Sequence, residues 1–286
     1  MGIKVLSLFD GISAGQLALQ RLNVKVETYY SSEIDKYAIQ IANKNFPNTI
    51  QLGDITKWTE WDIDFSKIDL IIGGSPCQGF SFAGKQLNFE DARSKLFFDF
   101  VNILNHIRVL NPKVKFLLEN VRMKQEYQDV ITKFLGVSPI QINSSLLSAQ
   151  NRVRLYWTNI DNITQPDDKG IVLKDIILDN VEDKYYLTAE AIDYMSRLRN
   201  GKPRWEYHKN PLNGKSACLT ANMYKGAPYG VLKELKRKLT PIECERLQTF
   251  PDDYTKGISN SQRYKALGNS WTVDVIAHIF KNLKQN

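Results

Sequence analysis

Short apolar runs and amphipathic stretches alternate through the first half of the chain. Lys4–Phe9 has the run of a buried strand, and Ala14–Leu22 the spacing of a helix. Lys25–Ser31 and Asp35–Phe46 repeat that pair, and Lys67–Ile72 is a third clear strand ending in Gly73-Gly74. Lys95–Val109 carries apolar residues at 96, 97, 100, 101, 103, 104 and 107, a helical period closed by Pro112. Val114–Leu118 is another buried strand, followed by a helix to about Leu135 and strand-like Ile140–Leu147 and Leu155–Ile160. Strands separated by helices in this way predict a parallel α/β sheet covered on both faces. Ligands of such sheets sit at the loops beyond the carboxyl ends of the strands.

Past residue 160 the period is lost. Residues 161–240 are rich in Asn, Asp, Lys, Gly and Pro and predict a small irregular lobe. Regularity returns with helices expected at Thr240–Thr249 and Thr272–Leu283, the first opened by a Thr cap, a Pro and a Glu. The length of 286 residues suits one large domain, or one domain with a lobe. With 43% apolar and 24% charged residues, the composition excludes a disordered chain, a collagen and a coiled coil. There is no apolar run long enough for a membrane span, and the start lacks the pattern of a signal peptide. Three cysteines make no disulfide framework, which points to a reducing, cytosolic setting.

Charge changes the picture of the lobe. The chain carries a net +7, and residues 196–240 hold eleven Lys or Arg against Glu206 and Glu234. That segment is therefore +9 and the remainder −2, with Trp205, Tyr207, His208 and Tyr224 interleaved among the basic residues. Such a cluster is either a solvated surface or a phosphate-binding footprint of a nucleic-acid partner.

The strand-end loops carry the candidate chemistry. Phe9-Asp10-Gly11-Ile12-Ser13-Ala14-Gly15 follows the first strand and differs from the dinucleotide G-x-G-x-x-G pattern. Glu33 ends the second strand, where an acid can hold a ribose, and Asp54 lies where an adenine amino group can be accepted. Each acid alone fits a surface or capping carboxylate. Together with the Gly loop they suggest an adenosine cofactor without pyrophosphate. Cys77, after Pro76 in Gly73-Gly74-Ser75-Pro76-Cys77-Gln78-Gly79-Phe80-Ser81, suits an exposed nucleophile better than a core residue. Cys218 and Cys244 have no such setting. Glu119, at the end of a buried strand, is placed as a proton donor or a helix cap. Strand alternation expects Gln150, Arg152 and Arg154 to point together, the arginines as anion or carbonyl clamps.

In this order the segments resemble the DNA cytosine-5 methyltransferases, over residues 3–160 and 240–283, about 70% of the chain. FDGISAG resembles the family's cofactor loop, GGSPCQGFS its Pro-Cys-Gln loop, LLENV its Glu-Asn-Val element and QNRVR its Gln-x-Arg-x-Arg. RLQTFPDDY and ALGNSW resemble its closing segments, and the Trp271-containing run is similar to the mammalian de novo methyltransferase catalytic domains. The resemblance implies a Rossmann-like S-adenosylmethionine-dependent methyltransferase sheet with a small irregular target-recognition lobe. Residues 1–160 would be the catalytic and cofactor-binding domain, 161–240 the lobe, and 241–286 a return to the catalytic domain.

By that resemblance S-adenosyl-L-methionine, leaving as S-adenosyl-L-homocysteine, would lie on Phe9, Gly11, Ile12, Gly15, Glu33, Ile34, Asp54, Ile55, Leu96, Asn269, Ser270 and Trp271. Cys77 would attack carbon 6 of a flipped cytosine in double-stranded DNA, with Glu119 at nitrogen 3 and Arg152 and Arg154 gripping the base carbonyl and the Cys77 loop. Residues 78–93 would close as a lid. Gln78, Ser81, Arg197, Arg199, Lys202, Arg204, Trp205 and Lys209 would contact DNA. No metal is expected. The picture is of a monomeric, cytoplasmic enzyme of bacterial or phage origin acting on the nucleoid, either linked to a cognate restriction endonuclease or a solitary or phage-borne enzyme. The alternatives are a tRNA cytosine-5 methyltransferase and a catalytically silent DNA-binding protein of the same fold.

Overall fold

The computed structural model describes residues 2–75, 92–207 and 210–283. Its contacts divide the chain into two units, one of residues 1–142, 153–165 and 276–286, the other of residues 143–152 and 166–275. Residues 241–275, expected to return to the catalytic domain, thus group with the lobe.

In the first unit the elements run β1 (Ile3–Leu8), α1 (Ala14–Arg21), β2 (Val26–Ser32), α2 (Lys36–Asn45), β3 (Ile50–Gln51), β4 (Leu70–Gly73), α3 (Ala92–Leu110), β5 (Lys115–Val121), α4 (Gln125–Leu135), β6 (Ile140–Asn143) and β7 (Val153–Thr158). They form a seven-stranded sheet of order β3-β2-β1-β4-β5-β7-β6. β1 pairs in parallel with both β2 and β4, and β4 with β5. The strand order reverses direction at β1, so the carboxyl ends of β1 and β4 flank the topological switch point where ligands of doubly wound sheets bind.

The expected all-parallel sheet is corrected at one place: β7 runs antiparallel to β5, with Glu119 opposite Tyr156 and Val121 opposite Arg154. An antiparallel neighbour brings its beginning to the end of its partner. Arg154, near the start of β7, therefore lies at the carboxyl edge. Beneath the sheet Phe97, Phe100, Ile103, Leu104 and Ile107 of α3 pack with Leu6, Leu8, Ile71, Phe116 and Leu118, all fully buried. Each such side chain stabilises by about 1.5–3 kcal/mol, which makes α3 the rigid backing of the strand ends.

The second unit holds α5 (Ala189–Ser196), the strand pairs β8 (Leu198–Arg199) with β9 (Lys202–Pro203) and β10 (Val231–Leu232) with β11 (Arg237–Lys238), then α6 (Pro241–Leu247) and α7 (Asn260–Asn269). α8 (Val273–Phe280) follows. α6 has the expected capping box: Glu243 N donates to Thr240 Oγ1 at 3.2 Å and Thr240 N to Glu243 Oε2 at 2.7 Å. α7 was not expected as a helix, because its sequence is mostly polar. No helix among the described residues is long and apolar enough to cross a membrane.

Candidate active site

At the end of β1 the backbone turns through three left-handed residues, Phe9 (φ 57°), Gly11 (φ 59°) and Ser13 (φ 59°). Asp10 holds this turn. Its carboxylate accepts from Ser7 Oγ (2.5 Å), Ser13 Oγ (2.5 Å), Tyr29 OH (2.8 Å) and Ser31 Oγ (3.1 Å). Burial pushes the Asp10 carboxyl up from its ordinary value, and the four hydroxyl donors work in the opposite direction. Ser13 spends its hydroxyl on Asp10 and leaves the first turn of α1 without a side-chain cap. Sequence reasoning passed over Asp10. The signal was present, since it stands at a strand end just ahead of Gly11 with serines at positions 7, 13 and 31.

Glu33 binds the same loop. Its Oε2 accepts from Gly11 N at 2.8 Å and its Oε1 from Ile34 N and Asp35 N, both at 2.8 Å. Ile34 stands in solvent with 75% of its surface exposed, an unusual position for a large apolar side chain. Asp54 caps the turn Ile55–Glu60 by accepting from Thr56 N at 2.9 Å, Ile55 is buried, and Leu96 packs against the α3 core. Ile12 and Gly15 are buried in the first loop and the first turn of α1. Backbone amides, two acids and an exposed apolar side chain at neighbouring strand ends fit the amino, hydroxyl and ring groups of an adenosine.

Two contacts organise the end of β5. Arg154 Nε donates to Glu119 Oε1 at 2.9 Å, with both side chains nearly buried. Asn120, also buried, donates from Nδ2 to Ser75 O at 3.3 Å and Ser75 Oγ at 3.4 Å. The strand carrying Glu119 is thereby tied to the chain two residues before Cys77. Cys77, Gln78 and Ser81, like Lys209, lie outside the described residues.

Gln150, Arg152 and Arg154 do not point together. β7 begins only at Val153, so strand alternation does not reach back to Gln150. Arg154 turns to Glu119, whereas Gln150 and Arg152 serve the second unit. Gln150 Oε1 accepts from Leu219 N at 2.7 Å and its Nε2 donates to Leu247 O and Gln248 Oε1, each at 3.2 Å. Arg152 is buried, and its guanidinium donates to Leu219 O (3.0 Å), Gly268 O (3.2 Å), Ser270 O (2.7 Å) and Cys218 Sγ (3.3 Å). Gln248 Nε2 adds bonds to Leu267 O (2.8 Å) and Ser270 O (3.0 Å). The segment Gly268-Asn269-Ser270-Trp271 is therefore fixed through its carbonyls by two buried side chains. A Cβ at Gly268 would overlap the backbone of Thr220, so only glycine allows that approach. Cys244 is buried and its thiol is pushed well above its ordinary value, first by burial and then by Glu243 and Glu245, which makes it chemically inert.

In the lobe Arg197 pairs with Asp193, Arg204 lies over the Tyr194 ring at 4.6 Å, Arg199 over the Tyr207 ring at 5.8 Å, and Trp205 Nε1 donates to Ser196 Oγ at 3.3 Å.

Residues 3–285 match the family described as C-5 cytosine-specific DNA methylase. The chain belongs to that family. The methylase is 32% identical over 309 residues to the Type II methyltransferase M1.ScrFI of Lactococcus lactis subsp. cremoris, covering 98% of this chain and 77% of the relative. It is 30% identical over 317 residues to the Type II methyltransferase M.HhaI of Haemophilus parahaemolyticus, covering 99% and 94%. Its fold is shared with the S. pombe Dnmt2 methyltransferase at a TM-score of 0.75 and 18% identity, covering 99% of this chain and 100% of that one. A putative DNA modification methyltransferase encoded within an E. coli prophage superposes at 0.73 with 20% identity, covering 99% and 98%. The methylase is thus a DNA cytosine-5 methyltransferase of the S-adenosylmethionine-dependent type, related to enzymes of restriction-modification systems.

Proposed function

We propose that this methylase modifies carbon 5 of one cytosine within a short double-stranded DNA site, taking the base out of the helix and holding it through a covalent bond to Cys77. The observation that carries the reading is the end of β5, where Glu119 is paired with Arg154 and Asn120 is bonded to Ser75, two residues ahead of Cys77.

S-adenosylmethionine supplies an electrophilic methyl group when bound. Glu33 and Asp54 would hold the ribose and the adenine, beside Phe9, Gly11, Ile12, Gly15, Ile34, Ile55 and Leu96, and by the family resemblance Asn269, Ser270 and Trp271 would also bind the cofactor. Removing the target base from the stack costs about a few kcal/mol, which contacts to the backbone and the flipped base offset. The Cys77 thiolate forms a bond to ring carbon 6, and the electron pair of the carbon 5–carbon 6 double bond moves to carbon 5. Glu119 places a proton or hydrogen bond on nitrogen 3, where negative charge develops, and Arg154 orients that carboxyl group. Carbon 5 would then take the methyl group, whose bond to sulfur breaks to leave S-adenosyl-L-homocysteine. A base removes the carbon 5 proton, its electron pair restores the double bond, and Cys77 departs as thiolate. Arg152 acts at a distance, by fixing the carbonyls of Gly268 and Ser270. The basic lobe of residues 161–240 holds the duplex.

The test is transfer of labelled methyl groups to unmethylated duplex DNA and to tRNA by the wild type and Cys77→Ala, with products mapped by bisulfite sequencing. Methylated cytosines in one short DNA context, lost in Cys77→Ala, are the expected result. Transfer to tRNA alone, or to neither, overturns the reading.

A further inference from the structure

The basic residues of the lobe fall into two groups with different work. Residues 197–204 carry Arg197, Arg199, Lys202 and Arg204 and no acid. Arg197 is bound by Asp193 one turn back in α5, through Nε at 2.9 Å and Nη2 at 2.6 Å. Arg204 stacks on Tyr194 of the same helix and donates from Nη1 to Arg197 O at 3.3 Å. Trp205 donates to Ser196, and Tyr207 OH to Arg199 O at 2.7 Å. These contacts fasten a two-stranded hairpin to the end of α5.

At its tip the hairpin turns through Asn200 (φ 49°) and Gly201 (φ 77°), two consecutive left-handed residues of the tight turn that matches strand twist. β8 and β9 pair with Arg199 directly opposite Lys202. Like charges facing each other across an antiparallel pair repel, and the two-residue loop holds their backbones side by side. Among the described residues neither one is paired with a carboxylate. The Lys202 side chain makes no hydrogen bond or ion pair there, and the Arg199 guanidinium has only the ring of Tyr207 at 5.8 Å. Leu198, the next residue, is 67% exposed. A rigid tip bearing two unneutralised cations and an exposed apolar side chain is unfavourable in water alone. Neutralising each cation with an anion removes the repulsion.

We infer that the Asn200-Gly201 hairpin tip is the part of the lobe that seats on the DNA backbone, with Arg199 and Lys202 each taking a phosphate and Leu198 lying against the sugar edge, whereas Arg197 and Arg204 are braces that hold the tip and touch no DNA. This rests on the reading of the chain as acting on duplex DNA, and refines it by dividing residues that sequence alone treats alike.

Two phosphate contacts contribute about 1.8 to the slope of log affinity against log salt. Binding of a full-length unmethylated duplex is to be measured for the whole protein at several salt concentrations, with wild type, the double variant Arg199→Gln/Lys202→Gln, the single variant Arg197→Gln and the turn variant Gly201→Val. The double variant is expected to lose the salt dependence of two contacts, so that over a fourfold rise in salt the wild type loses about tenfold more affinity than it does. Arg197→Gln is expected to keep the wild-type slope. Gly201→Val leaves all charges in place and distorts the turn, and is expected to weaken binding and flatten the slope. Cofactor binding by each variant serves as the check of folding. An unchanged slope in the double variant, with DNA methylation by the wild type intact, overturns the hairpin assignment and leaves the wider reading standing. Loss of slope in Arg197→Gln equal to that of the double variant overturns the division. Absence of DNA binding by the wild type itself sinks both.

Discussion

The two units of this methylase are built on different principles. In the first, an apolar core is laid down by strands and helices of regular period, and most of its buried polar contacts gather at the strand ends. There the acids point at backbone amides and hydroxyls: Glu33 at Gly11, Ile34 and Asp35, and Asp10 at four hydroxyl groups. In the second, charged and amide side chains are buried alongside apolar ones such as Leu219, Leu232, Leu247 and Leu267. Arg237 and Glu243 form a buried bidentate pair at 2.9 and 2.7 Å, and Glu243 also accepts from Leu178 N at 2.9 Å. Glu245 accepts from Asp253 N (2.8 Å), Thr255 N (2.8 Å), the Thr255 hydroxyl and Arg263 Nη2 (2.9 Å). Gln150, Arg152 and Gln248 hold three chain segments by their carbonyls. An irregular lobe has few ladders to satisfy its backbone, and buried side chains do that work instead.

The largest expected effect follows from this contrast. Arg237→Ala leaves a buried carboxylate without its partner and should cost roughly 3–5 kcal/mol of the second unit's stability. In urea unfolding followed by hydrogen exchange, amides of α6 and β11 should open first while those of β1, β4 and β5 keep their protection. Equal loss in both units would break the comparison.

The strand-end site is next in size. Glu119→Gln should lower single-turnover methyl transfer by about a hundredfold, with cofactor affinity held. Arg154→Ala should lower it less, because the carboxyl stays in place and loses only the guanidinium 2.9 Å away that orients it. A fall in cofactor affinity without change in the transfer step would contradict the assignment of this pair to the cytosine.

Gly268→Ala sharpens the account of the second unit. The added methyl would press on Thr220, at a cost of about 1–3 kcal/mol. Thermal denaturation should register it. Wild-type stability in this variant would show that the close approach is not needed.

The smallest effect concerns pH. Burial pushes the Asp99 carboxyl up from its ordinary value of 3.8, Asp54 adding to that and the Lys95 charge opposing it. The folded protein then holds this proton more tightly than the unfolded chain. That contribution to stability is complete below 3.8 and is lost as pH rises through the folded value. Asp99→Asn, which does not titrate, should therefore gain on the wild type in melting temperature as pH is raised from about 4 to about 7. A constant difference across that range would contradict the shift.

Much of the first unit could be read from its sequence because apolar period and strand-end position carry it: β1, β2, β4, β5 and α3 lie close to where the pattern put them, Glu33 and Asp54 fall on strand-end loops, and Glu119 lies within β5 near its carboxyl end. The direction of β7 could not be read, since alternation is the same for parallel and antiparallel strands. β3 is too short to show a period. The second unit was opaque for a physical reason. Its core residues, among them Gln248, Glu245 and Arg152, are of types that a pattern of apolar positions assigns to the surface. Arg152 was singled out for its motif, and its task of gripping carbonyls emerged only from its partners.

The most direct test of the central claim uses a duplex in which the target cytosine carries fluorine at carbon 5, so that the final elimination cannot occur. Incubation with the methylase and S-adenosylmethionine should leave a denaturation-resistant protein–DNA adduct whose peptide contains Cys77, absent in Cys77→Ala and formed more slowly in Glu119→Gln. Methylation of ordinary duplex without such an adduct, or an adduct mapped to Cys218, would contradict the account.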